Sequence, residues 1–126
     1  MRYLLDSTLL IDHGNSDQAA IELLYRLVEE GHDLYTCDVV TCEALSRGEA
    51  DDLRHISALL DALEYVSTTP AAARRAATAR RERHTAGGKQ ALGDALIAGV
   101  AEELKAVVVT RNRRDFARLN TPTLEY

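Results

Sequence analysis

The sequence is poor in aromatic, cysteine and proline residues. It has no tryptophan, one phenylalanine, two cysteines and two prolines in 126 residues. Stacking of bases on Phe or Trp rings can therefore contribute little to any binding of nucleic acid. Cys37 and Cys42 lack the paired Cys or His residues of a structural zinc site, so we expect two buried or half-buried thiols in a reducing compartment.

Long hydrophobic segments are absent as well. No apolar run reaches the roughly eighteen residues of a membrane span. Charges at Arg2 and Asp6 interrupt the N-terminal segment too early for a secretory signal. We therefore expect a cytoplasmic protein that does not enter a membrane.

The motifs of several common enzyme classes are also missing. No Gly-x-Gly-x-x-Gly follows the first apolar run, and Gly88-Lys89 lacks the preceding glycine and the following Ser or Thr of a phosphate-binding loop. The serines lack the context of a nucleophile elbow. The histidines show no metal-ligand pairing along the chain: His13, His32, His55 and His84.

Basic residues are concentrated in the second half of the chain, although the net charge is −5. Residues 1–70 carry 4 basic and 14 acidic side chains, whereas residues 71–126 carry 11 and 6. Such clustering can form an electrostatic footprint for phosphates, but it is equally compatible with a solvated helix face. Nine of the fifteen basic residues lie in two segments: Arg74, Arg75, Arg80, Arg81 and Arg83, then Arg111, Arg113, Arg114 and Arg118.

Apolar periodicity alternates between strand-like and helical segments. This alternation predicts a three-layer α/β sandwich around a mainly parallel central sheet of four to five strands, in a single domain of residues 1–126. The continuous valine run at 107–109 suits a central strand covered on both faces. The predicted helices run from Ser16 or Asp17 to Glu30, from Asp38 through Leu45, from Asp51 through Leu63, from Pro70 to about His84 and from about Asp94 through Ala101. The predicted strands are 2–6, 34–37, 65–67, 106–110 and, at one edge, 123–126.

Four acids lie near strand ends or on helices at separate places in the chain. Asp6 ends the first strand, Glu43 lies on the helix after the second, Asp94 opens a buried helix and Asp115 follows the turn after the valine strand. In a parallel sheet such positions share one crevice at the carboxyl ends of the strands. Converging carboxylates would repel one another unless a cation were bound, and oxygen ligands favour Mg²⁺ or Mn²⁺ over zinc.

Each of these acids also has a plausible structural role when it is taken alone. Asp94 and Asp115 suit the first turn of a helix, where the helix dipole favours negative charge, and Glu43 suits a solvated helix surface. Two further acids lie nearby but outside the set. Asp12 is one, and Asp38, which we expect to cap the helix that follows it, is the other.

The contexts of the four acids together match a pattern that none of them defines alone. They are Leu5-Asp6-Ser7-Thr8, Val40 to Leu45, Gly93 to Ala98, and Val109 to Phe116. In this order and at these spacings the segments resemble the PIN-domain nucleases, more specifically the VapC-type toxins of bacterial toxin–antitoxin pairs. At Ser7-Thr8 the family more often has Thr or Ala and then Ser or Asn, so the hydroxyl is kept.

The resemblance assigns roles to individual residues. It implies that one acidic quartet is both catalytic and metal-binding, with the first and third members the most regular ligands: Asp6, Glu43, Asp94 and Asp115. It implies polar supports that hold a carboxylate or a metal-bound water: Thr110, Asn112 and Ser7. Arginines of the two basic segments would then hold the RNA backbone: Arg81, Arg111, Arg113 and Arg114.

The implied activity is hydrolysis of RNA phosphodiester bonds with Mg²⁺ or Mn²⁺ as cofactor. The resemblance further implies a small antitoxin protein as partner, and a homodimer. Two other interpretations remain. A phosphorylated receiver domain has a similar length and fold class, but it requires an acid pair after the first strand, where Ser7 follows Asp6, and an acid after the third strand, where none follows Tyr65-Val66-Ser67. A catalytically silent PIN fold that only binds RNA or protein would not need all four acids.

Overall fold

A computed structural model describes residues 1–126, which are built around one five-stranded sheet. The strand order is β3-β2-β1-β4-β5, and every neighbouring pair is parallel. Helices flank the sheet, so the predicted α/β fold with a parallel central sheet is confirmed. The strands are β1 (Arg2–Leu5), β2 (Asp33–Cys37), β3 (Glu64–Val66), β4 (Val107–Val109) and β5 (Thr123–Leu124).

Seven helices connect the strands. All five predicted helices are confirmed, with ends that differ by at most a few residues. None of the seven is long and apolar enough to cross a bilayer. They are α1 (Ser7–Gly14), α2 (Gln18–Glu29), α3 (Asp38–Leu45), α4 (Ala50–Ala62), α5 (Pro70–Thr85), α6 (Leu92–Leu104) and α7 (Arg113–Ala117).

The central strands β1 and β4 carry the core. Leu4 and Leu5 of β1 pair with Val108 and Val109 of β4, and all four side chains are fully buried. The backbone N–H of Asp6 then donates to the carbonyl of Val109 at 3.0 Å. The sheet register therefore places Asp6 at the carboxyl end of the sheet, beside the segment that follows β4.

Helix α1 is an element that the sequence pattern did not predict. It begins at Ser7, directly after the strand-end residue Asp6, and Leu9 and Leu10 are buried. The leucines of β1 and α1 form nearly one continuous apolar stretch. Helix α1 has only eight residues, which are too few for the sequence to distinguish a helical period from a strand-like one. The boundary is set by Asp6, whose carboxylate accepts a hydrogen bond from the Ser7 N–H at 2.8 Å.

Asp38 does not cap helix α3 as predicted. The N-cap position is Cys37, and Asp38 is the first residue of the helix. Its Oδ1 accepts hydrogen bonds from the Val39 N–H at 3.1 Å and from both the N–H and the hydroxyl of Thr68, at 3.1 and 2.7 Å. The carboxylate therefore ties α3 to the segment after β3. Of the two thiols, Cys37 is buried as expected, whereas Cys42 is exposed.

Close packing of α5 on α6 fixes the direction of α6. A Cβ on Gly99 would lie 2.5 Å from the carbonyl oxygen of Ala72. Both residues are buried, and Ala76 and Ala95 on the same two helices are equally small and buried. The absence of bulky side chains lets the two backbones approach, and this contact orients the N-terminal end of α6, where Asp94 lies.

Candidate metal centre

Asp6 is the most buried acid of the predicted quartet, with 1% of its surface exposed. Its Oδ1 accepts the Ser7 N–H at 2.8 Å. Its Oδ2 accepts the hydroxyls of Thr110 at 2.7 Å and Thr8 at 3.2 Å. Burial raises the pKa of Asp6, and these hydrogen bonds oppose that rise. The donors thus stabilise the ionised form of Asp6, which burial disfavours.

The two threonine hydroxyls belong to one network. Thr8 and Thr110 lie 3.5 Å apart and share the same carboxylate oxygen. Each also accepts a backbone N–H, from Arg111 to Thr8 at 3.2 Å and from Asn112 to Thr110 at 2.9 Å. Thr110 lies where the sequence predicted a support. Thr8 was not predicted; a hydroxyl two residues after a strand-end acid, in the first turn of a helix, is the signal that points to it.

The Glu43 side chain of α3 extends toward the other three acids over Gly93, which has no side chain. A Cβ on Gly93 would overlap the Glu43 carboxylate, so the absence of a side chain there makes room for it. The Ser7 hydroxyl donates to Glu43 Oε1 at 3.3 Å. Burial and the nearby Asp6 raise the pKa of Glu43. Ser7 therefore links two acids, its N–H to Asp6 and its hydroxyl to Glu43.

Asp94 is where the charges of the quartet converge. It lies in the first turn of α6 and is half-buried. Burial and the charges of Asp6, Asp115 and Glu43 together raise its pKa to about 6. The structure therefore brings the other three predicted acids within electrostatic range of Asp94. A carboxyl group surrounded by three others has the environment that a divalent cation stabilises.

Asp115 and Asn112 enter the site from α7. Asp115 is half-buried in the first turn of this helix. Asn112 occupies the N-cap position without a side-chain capping bond, and its backbone N–H, rather than its amide group, supports Thr110. Asn112 therefore contributes a main-chain contact, and the predicted support of a carboxylate or metal-bound water by its side chain stays a prediction.

The donor set suits a hard divalent ion, since every candidate ligand is a carboxylate oxygen. No group of three His, Cys, Asp or Glu side chains is close enough in this arrangement to hold one ion. The four acids are near enough to raise the pKa of Asp94, and binding of an ion would require carboxylates to draw closer together. The chemistry of these side chains therefore suits a divalent ion, and binding the ion would require the carboxylates to move closer together.

The arginines of the two basic segments differ in their exposure and in their ion-pair partners. Arg114 of α7 is exposed, Arg81 of α5 is exposed, and Arg113 is 70% exposed with only a distant carboxylate, Glu125, at 3.8 Å. Arg111 differs, because its guanidinium already binds Asp12 and Asp17 of the same chain. Of the four arginines that the sequence assigns to RNA, three present their guanidinium groups to solvent, whereas that of Arg111 is engaged within the fold.

Comparison with known proteins shows the family and the fold of this chain. The family description "PIN domain" matches residues 3–121. The chain is 31% identical over 114 residues to Ribonuclease VapC19 from Mycobacterium tuberculosis, an alignment covering 90% of each chain. Among solved structures it resembles VapBC2 from Rickettsia felis bound to a DNA fragment from its promoter, with a TM-score of 0.85, 20% identity and coverage of 100% of this chain and 99% of that one. It also resembles VapBC-1 from nontypeable Haemophilus influenzae, with a TM-score of 0.79, 19% identity and coverage of 99% and 98%. The resemblance carried by the four acidic segments is therefore confirmed, and the chain belongs to the PIN-domain family.

Proposed function

We propose that this chain is a divalent-metal-dependent endoribonuclease and the toxin of a toxin–antitoxin module. The observation that carries the proposal is the convergence of four acids at the carboxyl end of the sheet, where the Ser7 N–H and hydroxyl join Asp6 to Glu43, and where burial and the three other acids raise the pKa of Asp94 to about 6. The relative that aligns over 90% of the chain is named a ribonuclease, which supports RNA as the substrate. A cytoplasmic location would bring the chain to that substrate.

The four acids have different proposed roles, which follow from their surroundings. Asp6 and Asp94 are the proposed direct ligands of Mg²⁺ or Mn²⁺, and Asp115 binds the same ion or a second one. A bound ion supplies an activated water and neutralises charge that develops on the phosphate. Thr8 and Thr110 keep Asp6 ionised and oriented by donating to its Oδ2.

Glu43 is the proposed water-orienting base or an additional ligand. Its carboxylate is more exposed than that of Asp6, and its pKa is raised by burial and by Asp6. A carboxylate with a raised pKa accepts a proton more readily near neutral pH. The Ser7 hydroxyl and the bare Cα of Gly93 fix where the Glu43 carboxylate lies.

Arginines outside the acidic centre would hold the RNA backbone, because the acids alone repel phosphate. Arg113 and Arg114 lie in α7 beside Asp115, and Arg81 lies on the exposed face of α5. With so few aromatic side chains, the choice of sequence would depend on RNA shape and unpaired loops rather than on base stacking.

The proposed partners are a small antitoxin and a second copy of the chain. Solved structures that share this fold support the antitoxin, since one is described as a toxin–antitoxin complex from Klebsiella pneumoniae and another as a member of the VapBC family of toxin–antitoxin systems from Mycobacterium tuberculosis. An open cleft of about 490 Å³ beside Glu43, lined by Ile11 and Arg47 among others, offers the antitoxin a route to the acids. Occupation of that cleft would block access of RNA to the centre.

The deciding experiment is cleavage of total cellular RNA by the purified protein with Mg²⁺, with Mn²⁺ and with a chelator. Wild type is compared with Asp94→Asn and with Asp61→Asn, an exposed acid on α4 that removes the same charge. We expect discrete, metal-dependent fragments from wild type and Asp61→Asn and none from folded Asp94→Asn.

Two outcomes contradict the proposal. Equal cutting by wild type and Asp94→Asn would identify a contaminating nuclease. Absence of cutting under every metal, with RNA binding retained, would favour the catalytically silent binding module.

A further inference from the structure

The side chain of Arg111 is 43% exposed, but three side chains of the same protein contact its guanidinium. Its Nε lies 2.9 Å from Asp12 Oδ2, and its Nη2 lies 2.9 Å from Asp17 Oδ2. Its guanidinium carbon lies 4.8 Å from the centre of the Tyr126 ring. The Tyr126 hydroxyl in turn donates to Asp12 Oδ2 at 2.7 Å. Two carboxylates and one ring thus fix a single guanidinium.

The partners of Arg111 are themselves anchored. Asp12 lies in α1, and Asp17 is the N-cap of α2, where its other oxygen accepts the Ala20 N–H at 3.0 Å. Arg111 belongs to the short segment between β4 and α7. Its side chain therefore fastens that segment to the junction of α1 and α2. A planar guanidinium can engage two carboxylates at once, which the point charge of a lysine does less well.

The main chain at Arg111 leads to the acidic centre. The Arg111 N–H donates to Thr8 Oγ1 at 3.2 Å, and that hydroxyl donates to Asp6 Oδ2. On the next residue, the Asn112 N–H donates to Thr110 Oγ1, whose hydroxyl donates to the same oxygen. The location of this segment thus determines whether both hydroxyls reach Asp6.

We propose that Arg111 is a positioning residue of the centre at Asp6 and not a contact for RNA: its clamp on Asp12, Asp17 and Tyr126 holds the 110–112 segment where the Thr8 and Thr110 hydroxyls meet the Asp6 carboxylate. Two carboxylates already neutralise the guanidinium, so it adds little attraction for phosphate. The cleavage part of the test rests on the proposed function, whereas the main-chain part does not.

The first measurement is amide hydrogen exchange by NMR on the metal-free protein. Arg111→Gln is compared with Arg113→Gln, a neighbouring arginine that is 70% exposed and loses the same charge. We expect exchange at the amides of residues 111 and 112 to become at least about tenfold faster in Arg111→Gln, while core amides of β1 and all amides of Arg113→Gln keep their wild-type rates. A loss of stability throughout the fold would instead accelerate the core amides too.

The second measurement is RNA binding and cleavage across a range of salt concentrations. We expect Arg111→Gln to slow cleavage at saturating RNA about tenfold and to leave the salt dependence of binding unchanged. The Asp12→Asn/Asp17→Asn double variant removes the two carboxylates that bind Arg111 and should show the same loss of cleavage. Combined with Arg111→Gln, it should cause little further loss, because both changes break the same contacts. It also serves as the test if Arg111→Gln does not fold.

Opposite results overturn the inference. Unchanged exchange at residues 111 and 112 in Arg111→Gln would show that the clamp does not hold the segment. A salt slope reduced by about 0.7, with cleavage at saturating RNA preserved, would make Arg111 a phosphate contact. If the wild type cuts no RNA, the proposed function fails, and the exchange measurement still decides the role of Arg111.

Discussion

The Thr110 hydroxyl donates a 2.7 Å hydrogen bond to Oδ2 of Asp6 across 104 positions of sequence. Thr110 is fully buried, and Asp6 is nearly so. Pairing of β1 with β4 brings the two residues together, because Leu5 and Val109 immediately before them are partners in the sheet. The register of the sheet therefore brings the Thr110 hydroxyl within hydrogen-bond distance of the proposed metal ligand Asp6.

Replacement of Thr110 tests this bond directly. Thr110→Val keeps the shape of the side chain but removes the hydroxyl, so Asp6 loses its shortest donor. We expect cleavage to fall about 10- to 100-fold, as for other groups that orient a metal ligand. Thr110→Ser keeps the hydroxyl and should retain most of the activity; equal losses in both variants would attribute the effect to packing.

Gly93 tests the placement of Glu43. A methyl group at this position would overlap the Glu43 carboxylate, so Gly93→Ala should displace that carboxylate and slow cleavage about 10- to 100-fold. Stability should not fall, because alanine favours the first turn of α6 more than glycine does. Thermal unfolding and single-turnover cleavage measured on the same preparation separate the two effects.

Gly99 provides the matched control in the same helix. Gly99→Ala would press a methyl group against the Ala72 carbonyl, on the side of α6 that packs against α5. We expect it to lower the free energy of unfolding by about 1–3 kcal/mol. A Gly99→Ala protein as stable as wild type would contradict the close packing of α5 on α6.

The raised pKa of Asp94 predicts that, without metal, the folded protein loses stability as the pH rises from about 4 to about 6. The pKa of this group rises from 3.8 to about 6 on folding, so between these values the folded chain binds more protons than the unfolded chain. Stability contributed by this group is therefore lost as pH rises through that window. In chelator, Asp94→Asn should gain stability relative to wild type as the pH rises from about 4 to about 7, as measured by chemical denaturation. A constant difference across this range would contradict the shift.

Arg113 and Arg114 test how the RNA backbone is held. The Arg113→Gln/Arg114→Gln double variant should bind RNA more weakly, and its salt slope should fall by about 0.7 for each phosphate that the protein no longer neutralises. Arg26→Gln/Arg54→Gln, on α2 and α4, changes the net charge equally and serves as the control. Equal slopes in the two double variants would remove α7 from the binding surface.

The sequence determined the types and the order of most helices and strands. Strand-like and helical periods are local properties, so the alternation of valine- and leucine-rich runs with amphipathic segments predicted the parallel α/β sheet. The same local patterns located Asp6, Asp94 and Asp115 near strand ends or helix starts and Glu43 on the helix after the second strand. Their approach to one another followed from a general property of parallel sheets, in which the carboxyl ends of the strands share an edge.

Only the tertiary structure decided the partners of individual side chains. Helix α1 was missed because its leucines continue the apolar run of β1, and Asp38 bonds to Thr68 thirty residues away rather than capping its helix. Thr8 as a donor to Asp6, and Arg111 as a residue bound to two acids, likewise depend on contacts that no local pattern encodes. Hydrogen bonds and ion pairs form between groups that the fold brings within about 3 Å, and sequence spacing does not contain that distance.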